Sequence, residues 1–295
     1  MSAHDPEEAT AASVRVARAS LPDATTMGAV HLTVSDLERS LAHYGREIGL
    51  AVVARAAGRA SLGTGGSELL VLHEEPGARP SFGHTGLYHF ALLVPARADL
   101  ARWLAHAARD RVRLVGLSDH FVSEAIYLSD PDGHGIEIYW DRPREVWEGQ
   151  VARRMTTLPL DVESLLGELE DPETEPFDGL SRGTVMGHVH LKVAGIPDTI
   201  AFYRDVLGLG VTAALGTQAA FFAAGGYHHH VGANIWESAG ASPPPEGSAA
   251  LRHATIVLPT RDERDALADR IGASDGPEGP TVGDPSGNRL VLAHR

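Results

Sequence analysis

The chain has 295 residues, which at roughly 150 residues per domain predicts two domains. Its 25 Lys and Arg residues against 39 Asp and Glu residues give a formal net charge of −14, which argues against a nucleic-acid-binding protein with clustered basic residues. Cysteine is absent, which excludes disulfides, thiolate metal sites and cysteine nucleophiles, whereas histidine is frequent, with 16 residues. No apolar run reaches the roughly 18 residues that span a bilayer, and the N-terminus lacks the apolar core of a signal peptide. We therefore expect a cytoplasmic protein that binds neither nucleic acid nor membrane.

The N-terminal segment differs from the rest of the chain. Residues 1–26 are rich in Ala, Ser and Glu and show little hydrophobic periodicity. Such a composition is typical of a terminal arm, and we expect this segment to be disordered.

From residue 27 onward the sequence repeats one pattern four times. A short apolar, β-branched run predicts a strand at 28–34, 87–94, 187–193 and 251–258. An amphipathic stretch that predicts a helix follows each strand, starting at Asp36, Ala98, Ile196 and Arg261. The first and third helices end in the similar strings HYGREIGL and FYRDVLGL, where the Gly fits a helix C-cap. The second and fourth units close on the matching turns DPDGHGIEIYW and DPSGNRLVLAH, each leading into a last strand.

Each unit therefore reads as a strand, a helix and about three further strands. About 50 residues cannot bury both faces of a sheet, so the units must join in pairs. We expect an α+β protein with four βαβββ modules paired into two domains with cup-shaped mixed sheets. The predicted bounds are a first half at 27–142, with modules 27–80 and 84–142, an acidic linker at 143–183, and a second half at 184–295, with modules 184–237 and 249–295.

This order of units resembles the vicinal oxygen chelate superfamily, which contains glyoxalase I, bleomycin-resistance proteins and extradiol dioxygenases. The H-V-x-L-x-V strand, the FYRDVLGL helix end and the DPDGxGIE strand carry the resemblance. Three longer strings, GLYHFALLVP, SEAIYLSDPDGHGIEIYWDRP and GGYHHHVGANIW, are most similar to the bacterial two-domain catechol 2,3-dioxygenases.

The resemblance implies a metal bound by a histidine on the first strand of each of two paired units and by a Glu on a last strand. Registering the strands puts His89, His188 and His253 at the histidine position, with Ala29 in the first unit. Glu137 holds the Glu position in the second unit, and Val291 replaces it in the fourth. Neither pairing of sequential units completes a site. Pairing modules 2 with 3 and 1 with 4 does, and it predicts His89, Glu137 and His188 as metal ligands.

The same resemblance implies acid–base residues close to the metal. Tyr127 and His120 precede Glu137 by ten and seventeen residues, offsets at which related enzymes contact the substrate oxygens. In the run GGYHHHVGANIW, read as a strand, His228 and His230 share one face and His229 takes the other. We favour His230, then His228, as the acid–base histidine; which of the three faces the pocket stays open.

The expected function is an Fe(II)-dependent extradiol dioxygenase that cleaves a catechol-type ring with O2, with Mn(II) as an alternative metal. The predicted partners are a small aromatic diol and O2, and a homo-oligomer is compatible with the sequence. A glyoxalase-like metal lyase or isomerase is one alternative, although it usually needs a second carboxylate. A ligand-binding protein of the bleomycin-resistance type, without catalysis, is the other.

Overall fold

The computed structural model describes residues 20–295. Most of the predicted N-terminal arm, 1–26, lies outside the described residues. Within the described part of that arm, Leu21 is buried and its backbone N–H donates a hydrogen bond to the carbonyl of Gly208.

The first part of the chain contains two repeats of a strand, a helix and three strands. The first repeat comprises β1 (Thr26–Val34), α1 (Leu37–His43) continued by a π-helix (Tyr44–Ile48), β2 (Ala51–Ala56), β3 (Arg59–Thr64) and β4 (Ser67–Glu74). After the short β5 (Arg79–Pro80), the second repeat comprises β6 (Gly86–Leu93), α2 (Arg97–Asp110), β7 (Leu114–Asp119), β8 (Ser123–Ser129) and β9 (Gly135–Asp141).

The second part follows the same order after a connecting segment. That segment holds α3 (Arg144–Trp147), α4 (Val151–Arg154), β10 (Leu158–Pro159) and α5 (Val162–Leu166). The third repeat comprises β11 (Val185–Lys192), α6 (Ile196–Ile200) continued by a π-helix (Ala201–Leu207), β12 (Gly210–Leu215), β13 (Ala219–Ala223) and β14 (Val231–Asn234). After β15 (Ser248–Ala249), the fourth repeat comprises β16 (Leu251–Leu258), α7 (Arg261–Ile271), β17 (Ser274–Gly276), β18 (Gly279–Gly283) and β19 (Arg289–His294).

Local sequence accounts for the helix ends. The side chain of Asp36 accepts a hydrogen bond from the backbone N–H of Arg39 and caps α1, and Thr260 caps α7 through Glu263 in the same way. Both π-helices end at a glycine in the left-handed region, Gly49 (φ 89°) and Gly208 (φ 96°), in agreement with the C-caps predicted from sequence.

The strands form an α+β architecture with two large mixed sheets. The nine-stranded sheet has the order β10-β7-β8-β9-β6-β11-β14-β13-β12, so it joins the second repeat to the third. The eight-stranded sheet has the order β17-β18-β19-β16-β1-β4-β3-β2, so it joins the fourth repeat to the first. Strands β5 and β15 form a separate two-stranded ribbon. The antiparallel pairs β6·β11 and β1·β16 lie at the centres of the two large sheets.

Buried tyrosines link the repeats that follow one another in the chain. The hydroxyl of Tyr44, in the first π-helix, donates to Asp130 in the DPDG turn of the second repeat at 2.9 Å. The hydroxyl of Tyr203, in the second π-helix, donates to Asp284 in the DPSG turn of the fourth repeat at 3.2 Å. The similar helix-end strings supply the tyrosine, and the matching turns supply the aspartate, of one contact that occurs twice in the fold.

None of the helices within residues 20–295 has the length and apolar character needed to cross a membrane.

Candidate metal centre and its surroundings

Three strands at the centre of the nine-stranded sheet bring the candidate ligands together. Ala91 on β6 is the Cα partner of Glu137 on the parallel strand β9 and of His188 on the antiparallel strand β11. His89 precedes Ala91 by two residues and therefore projects from the same face of the sheet. The small side chain of Ala91, fully buried between its two partners, leaves the space into which the three larger side chains converge.

The three side chains meet at one carboxylate oxygen. Nε2 of His89 lies 2.9 Å from Oε2 of Glu137, and Nε2 of His188 lies 3.1 Å from the same oxygen. Nε2 of His89 is buried, and its contact with Glu137 does not have the geometry of a hydrogen bond. One ligand atom from each residue lies within 4.8 Å of the others, and this is the one such group of three or more His, Cys, Asp or Glu found in residues 20–295. The group could hold a metal ion.

The electrostatics of this group favour an ionised Glu137 carboxylate beside a neutral His188 imidazole. Burial opposes ionisation of Glu137, yet contacts with His188 and His89 hold the pKa of its carboxyl well below the usual range. Burial lowers the pKa of His188 despite the opposing effect of Glu137. All three side chains are buried, so the negative charge of Glu137 has no access to bulk water. A bound cation would compensate this charge.

Tyr127 and His120 lie beside the candidate ligands. Tyr127 on β8 is the Cα partner of Glu137, and its ring centroid lies 5.4 Å from that of His89. Nδ1 of His120 donates to the carbonyl of Thr156 at 2.7 Å, and its Nε2 lies 2.7 Å from the hydroxyl of Tyr127. In the neutral imidazole Nε2 carries the lone pair and accepts the hydroxyl proton of Tyr127. Burial and the nearby Glu137 carboxylate raise the pKa of Tyr127 well above its usual value.

The three consecutive histidines do not lie on a strand, and this part of the sequence interpretation is wrong. Strand β14 begins at Val231, and residues 224–230 form a loop, so the alternation that grouped His228 with His230 does not apply. The ring of His229 packs against His188, with centroids 4.1 Å apart, whereas His230 accepts a hydrogen bond from the backbone N–H of Ala224. The order of preference, His230 and then His228, therefore loses its basis.

His228 lies behind His229 in a hydrogen-bonded group. Its Nε2 donates to Oδ1 of Asp141 at 2.7 Å, and its Nδ1 lies 2.8 Å from Nδ1 of His229. Tyr227 donates to the other oxygen of Asp141, at 2.8 Å, and in turn accepts the hydroxyl proton of Tyr139. Burial, followed by the neighbouring His188 and His228, holds the pKa of His229 well below its usual value.

Sequence reasoning missed Asp141, although a signal existed. Asp141 follows Glu137 by four residues on β9, and an even spacing puts two residues on the same face of a strand. A second carboxylate on that face was therefore readable from the string GIEIYWD. The contributions of Tyr139, Tyr227 and the carbonyl of Thr156 depend on contacts between distant segments, and the sequence alone carries no such signal.

Aromatic side chains line the site next to His89. His190, the Cα partner of His89, lies at centroid distances of 5.0 Å from His89, 5.3 Å from Tyr88, 5.6 Å from Trp236 and 5.7 Å from Phe221. Nε2 of His190 is buried without a hydrogen-bond partner, and Trp236 is 49% exposed. Aromatic side chains therefore lie between the candidate ligands and solvent on this side of the site.

The eight-stranded sheet carries a different set of side chains at the corresponding positions. His253 is the Cα partner of His31, and Thr255 is the partner of Val291, where the other sheet has Ala91 and Glu137. His31 packs on His253, with ring centroids 3.9 Å apart, and its Nδ1 lies 3.2 Å from Nε2 of His73. This face has no carboxylate at the position of Glu137.

Comparison with known proteins agrees with this architecture. A sequence model of the family described as Glyoxalase/Bleomycin resistance protein/Dioxygenase superfamily matches residues 26–138 and 185–292. The chain belongs to this superfamily. It is 43% identical over 260 residues to a catechol-2,3-dioxygenase of Bacillus subtilis strain 168, covering 85% of this chain and 89% of that protein.

Solved structures support the same fold. A candidate dioxygenase from Bacillus subtilis subsp. subtilis strain 168 aligns with a TM-score of 0.62 and 16% identity, covering 94% of this chain and 86% of that one. Glyoxalase I from Zea mays aligns with a TM-score of 0.54 and 15% identity, covering 92% of this chain and 92% of that one. Because superfamily members differ in chemistry, the reaction must be argued from the site.

Proposed function

We propose that this protein is a metal-dependent extradiol dioxygenase that opens a catechol-type aromatic ring with O2. The observation that carries the proposal is the convergence of His89, His188 and Glu137 on one point in a buried site. The 43% identity to a catechol-2,3-dioxygenase over most of both chains supports it. We further propose that each large sheet forms a cup and that the cup of the nine-stranded sheet is the active one.

The donor set fits iron(II). Two imidazoles and one carboxylate on one face leave positions open for other ligands, and this is the arrangement of non-heme Fe(II) oxygenases. The buried, unpartnered Nε2 of His89 and the buried carboxylate of Glu137 are the features that a cation would satisfy. Iron(II) bound there would supply Lewis acidity and an electron-transfer route between the substrate and O2. Mn(II) accepts the same ligands and is the alternative metal.

Tyr127 and His120 are proposed to receive a proton from the substrate. A catechol must lose a hydroxyl proton to become an electron-rich chelating group. When the hydroxyl of Tyr127 donates to a neutral His120, the tyrosine oxygen keeps lone pairs that can accept a hydrogen bond from the substrate. A proton can then pass through Tyr127 to Nε2 of His120, whose Nδ1 is held by the carbonyl of Thr156.

His229 is proposed to act on the opposite side of the site. It packs on His188, whereas Tyr127 packs near His89, so the two groups flank the candidate ligands. An imidazole is suited to hold or supply a proton as the ring opens. We therefore propose His229, in place of His230 or His228, as the acid–base histidine on that side.

The surroundings suit a flat aromatic substrate. His190, Phe221, Tyr88 and Trp236 offer aromatic surfaces between the candidate ligands and solvent. Stacked or edge-to-face contacts with such rings favour an aromatic ligand over an aliphatic one.

Oxygen uptake by the reconstituted protein tests the proposal. The protein is purified without oxygen, loaded with Fe(II) or with Mn(II), and mixed with a panel of catechols in air-saturated buffer. We expect about one metal ion per chain and one O2 consumed per catechol. We also expect a yellow ring-opened product that contains both atoms of the O2 consumed. The reaction needs no added reductant, because the substrate supplies all the electrons.

Two kinetic results and one binding result would overturn the proposal. The first is a metal-loaded protein that consumes no O2 with any catechol in the panel. The second is conversion of a hemithioacetal of glutathione without O2 uptake, which would indicate a glyoxalase-type isomerase. Tight binding of an aromatic ligand by metal-free protein, with no turnover in either assay, would indicate a binding protein instead.

A further inference from the structure

A hydrogen-bonded chain leads from the edge of the proposed active site to a second carboxylate. It runs from His229 through His228 to Asp141, with atom-to-atom distances of 2.8 and 2.7 Å. His228 is completely buried at the middle of the chain, and Trp147 packs edge-on against its ring at a centroid distance of 5.5 Å. Neither imidazole has room for a different orientation without loss of these contacts.

The direction of each hydrogen bond in this chain follows from Asp141. A carboxylate only accepts, so Nε2 of His228 must carry the proton that it shares with Asp141. In a neutral His228 the lone pair then lies on Nδ1, which must accept the next hydrogen bond. Nδ1 of His229 therefore carries the proton between the two rings, and Nε2 of His229 is left with a lone pair. Asp141 thus selects the tautomer of a residue that it does not touch.

The free nitrogen of His229 belongs to the ring that faces the proposed active site. That ring lies between His188, at 4.1 Å, and Phe221, at 5.1 Å, measured between centroids. Among residues 20–295, no side chain or backbone group hydrogen-bonds to this Nε2. The nitrogen is therefore available to a ligand bound over the candidate metal position.

Two tyrosines hold the carboxylate of Asp141 in place. Tyr227 donates to its second oxygen at 2.8 Å, and Tyr139 donates to the hydroxyl oxygen of Tyr227 at 2.8 Å. Tyr139 lies beside the backbone of Gly187, where any side chain would overlap its hydroxyl group. Both carboxylate oxygens are thus engaged, and the one facing His228 cannot rotate away.

We propose that Asp141 is a positioning residue that acts through His228 to hold His229 in the tautomer with an unprotonated Nε2 facing the substrate. This inference rests on the proposed function, because it assigns His229 a place beside the substrate. It extends that function to Asp141 and His228, neither of which is proposed to bind the metal or the substrate.

The test combines a spectroscopic readout with kinetics. In metal-free protein, nitrogen-15 NMR of the imidazoles is expected to show His229 protonated at Nδ1 and unprotonated at Nε2. In Asp141→Asn the amide can donate to Nε2 of His228. The proton of His228 is then on Nδ1, and the proton of His229 is on Nε2. With Fe(II) and a catechol, we expect kcat to fall by about 10²-fold or more, with KM and bound iron much less affected.

Tyr227→Phe is the matched control, because it removes a hydrogen bond to Asp141 and leaves the His228 contact intact. We expect its His229 tautomer to match that of the unaltered protein. Asp141→Glu keeps an acceptor and should restore the original tautomer at least in part. An Asp141→Asn protein whose His229 stays protonated at Nδ1, or whose kcat is unchanged, would overturn the inference.

The NMR arm separates this inference from the proposed function. If the unaltered protein opens no catechol ring, the proposed function fails whatever the tautomer. If the ring-opening activity is present and the tautomer of His229 does not depend on Asp141, the inference about Asp141 alone fails.

Discussion

His89 and His253 occupy equivalent positions in the two large sheets, each opposite a second histidine across the central pair of strands. His89 is the Cα partner of His190, and His253 is the Cα partner of His31. The difference between the sheets appears two residues further on. There Ala91 lies next to Glu137 in one sheet, and Thr255 lies next to Val291 in the other. A valine cannot ligate a metal, so the fold repeats the histidine position without repeating the site.

This pair provides a matched test of the metal centre. His89→Gln is expected to lower bound iron by at least about tenfold, because the imidazole is lost from a three-residue ligand set. His253→Gln changes the same residue type at the equivalent position and should leave bound iron unchanged. Metal analysis after anaerobic loading measures both. Iron loss in His253→Gln but not in His89→Gln would contradict the assignment of the site to the nine-stranded sheet.

Removal of the Tyr127 hydroxyl should affect turnover more than binding. Tyr127→Phe removes the hydrogen bond to His120 and the oxygen that we propose to receive the substrate proton. We expect kcat to fall on the order of 10²-fold, with bound iron unchanged, because this hydroxyl is not a metal ligand. Tyr203→Phe serves as the control, since it removes a buried tyrosine hydroxyl from a contact with Asp284 instead. Steady-state O2 uptake gives kcat and KM for both variants.

Much of the fold could be predicted because its signals are local. Short apolar, β-branched runs located the four opening strands within two residues of their observed starts, for example Val185–Lys192 against the predicted 187–193. The π-helical turns at Tyr44–Ile48 and Ala201–Leu207 were not predicted, because a π-turn keeps the apolar pattern of an α-helix and differs in hydrogen bonding.

The candidate site also contains residues that could be placed from the sequence and residues that could not. His89, Glu137 and His188 could be placed from strand register, since register fixes which residues share a face of the sheet. The orientations of His228, His229 and His230 could not be placed, because a loop has no fixed period. Their positions depend on Asp141 and Ala224, whose contacts with the loop exist only in the folded chain.

Acid should destabilise this protein through its second histidine cluster. Burial lowers the pKa of His31 to about 3 and that of His73 and His253 to about 4, from an ordinary value of 6.5. The unfolded chain therefore binds more protons than the folded protein between pH 6.5 and about pH 4. Stability from these groups is complete above pH 6.5 and is lost as the pH falls through that range.

The variant His31→Gln isolates this effect. It removes one group that titrates differently in the two states, so the slope of unfolding free energy against pH should fall by up to about 1.4 kcal/mol per pH unit. Urea unfolding of metal-free protein at several values between pH 6.5 and 4 measures the slope. His294→Gln, which changes an exposed histidine in the same way, serves as the control. Equal slopes for His31→Gln and the unaltered protein would contradict the prediction.

Gly187→Ala should damage the site through packing alone. A Cβ at this position would overlap the hydroxyl of Tyr139, which is completely buried and cannot move aside cheaply. We expect a loss of about 1–3 kcal/mol in unfolding free energy, as for other overpacked positions. Gly283→Ala is the matched control in a strand, because nothing lies within 4 Å of the added carbon. A Gly187→Ala protein as stable as Gly283→Ala would mean that the tyrosine pair is free to shift and does not hold Asp141.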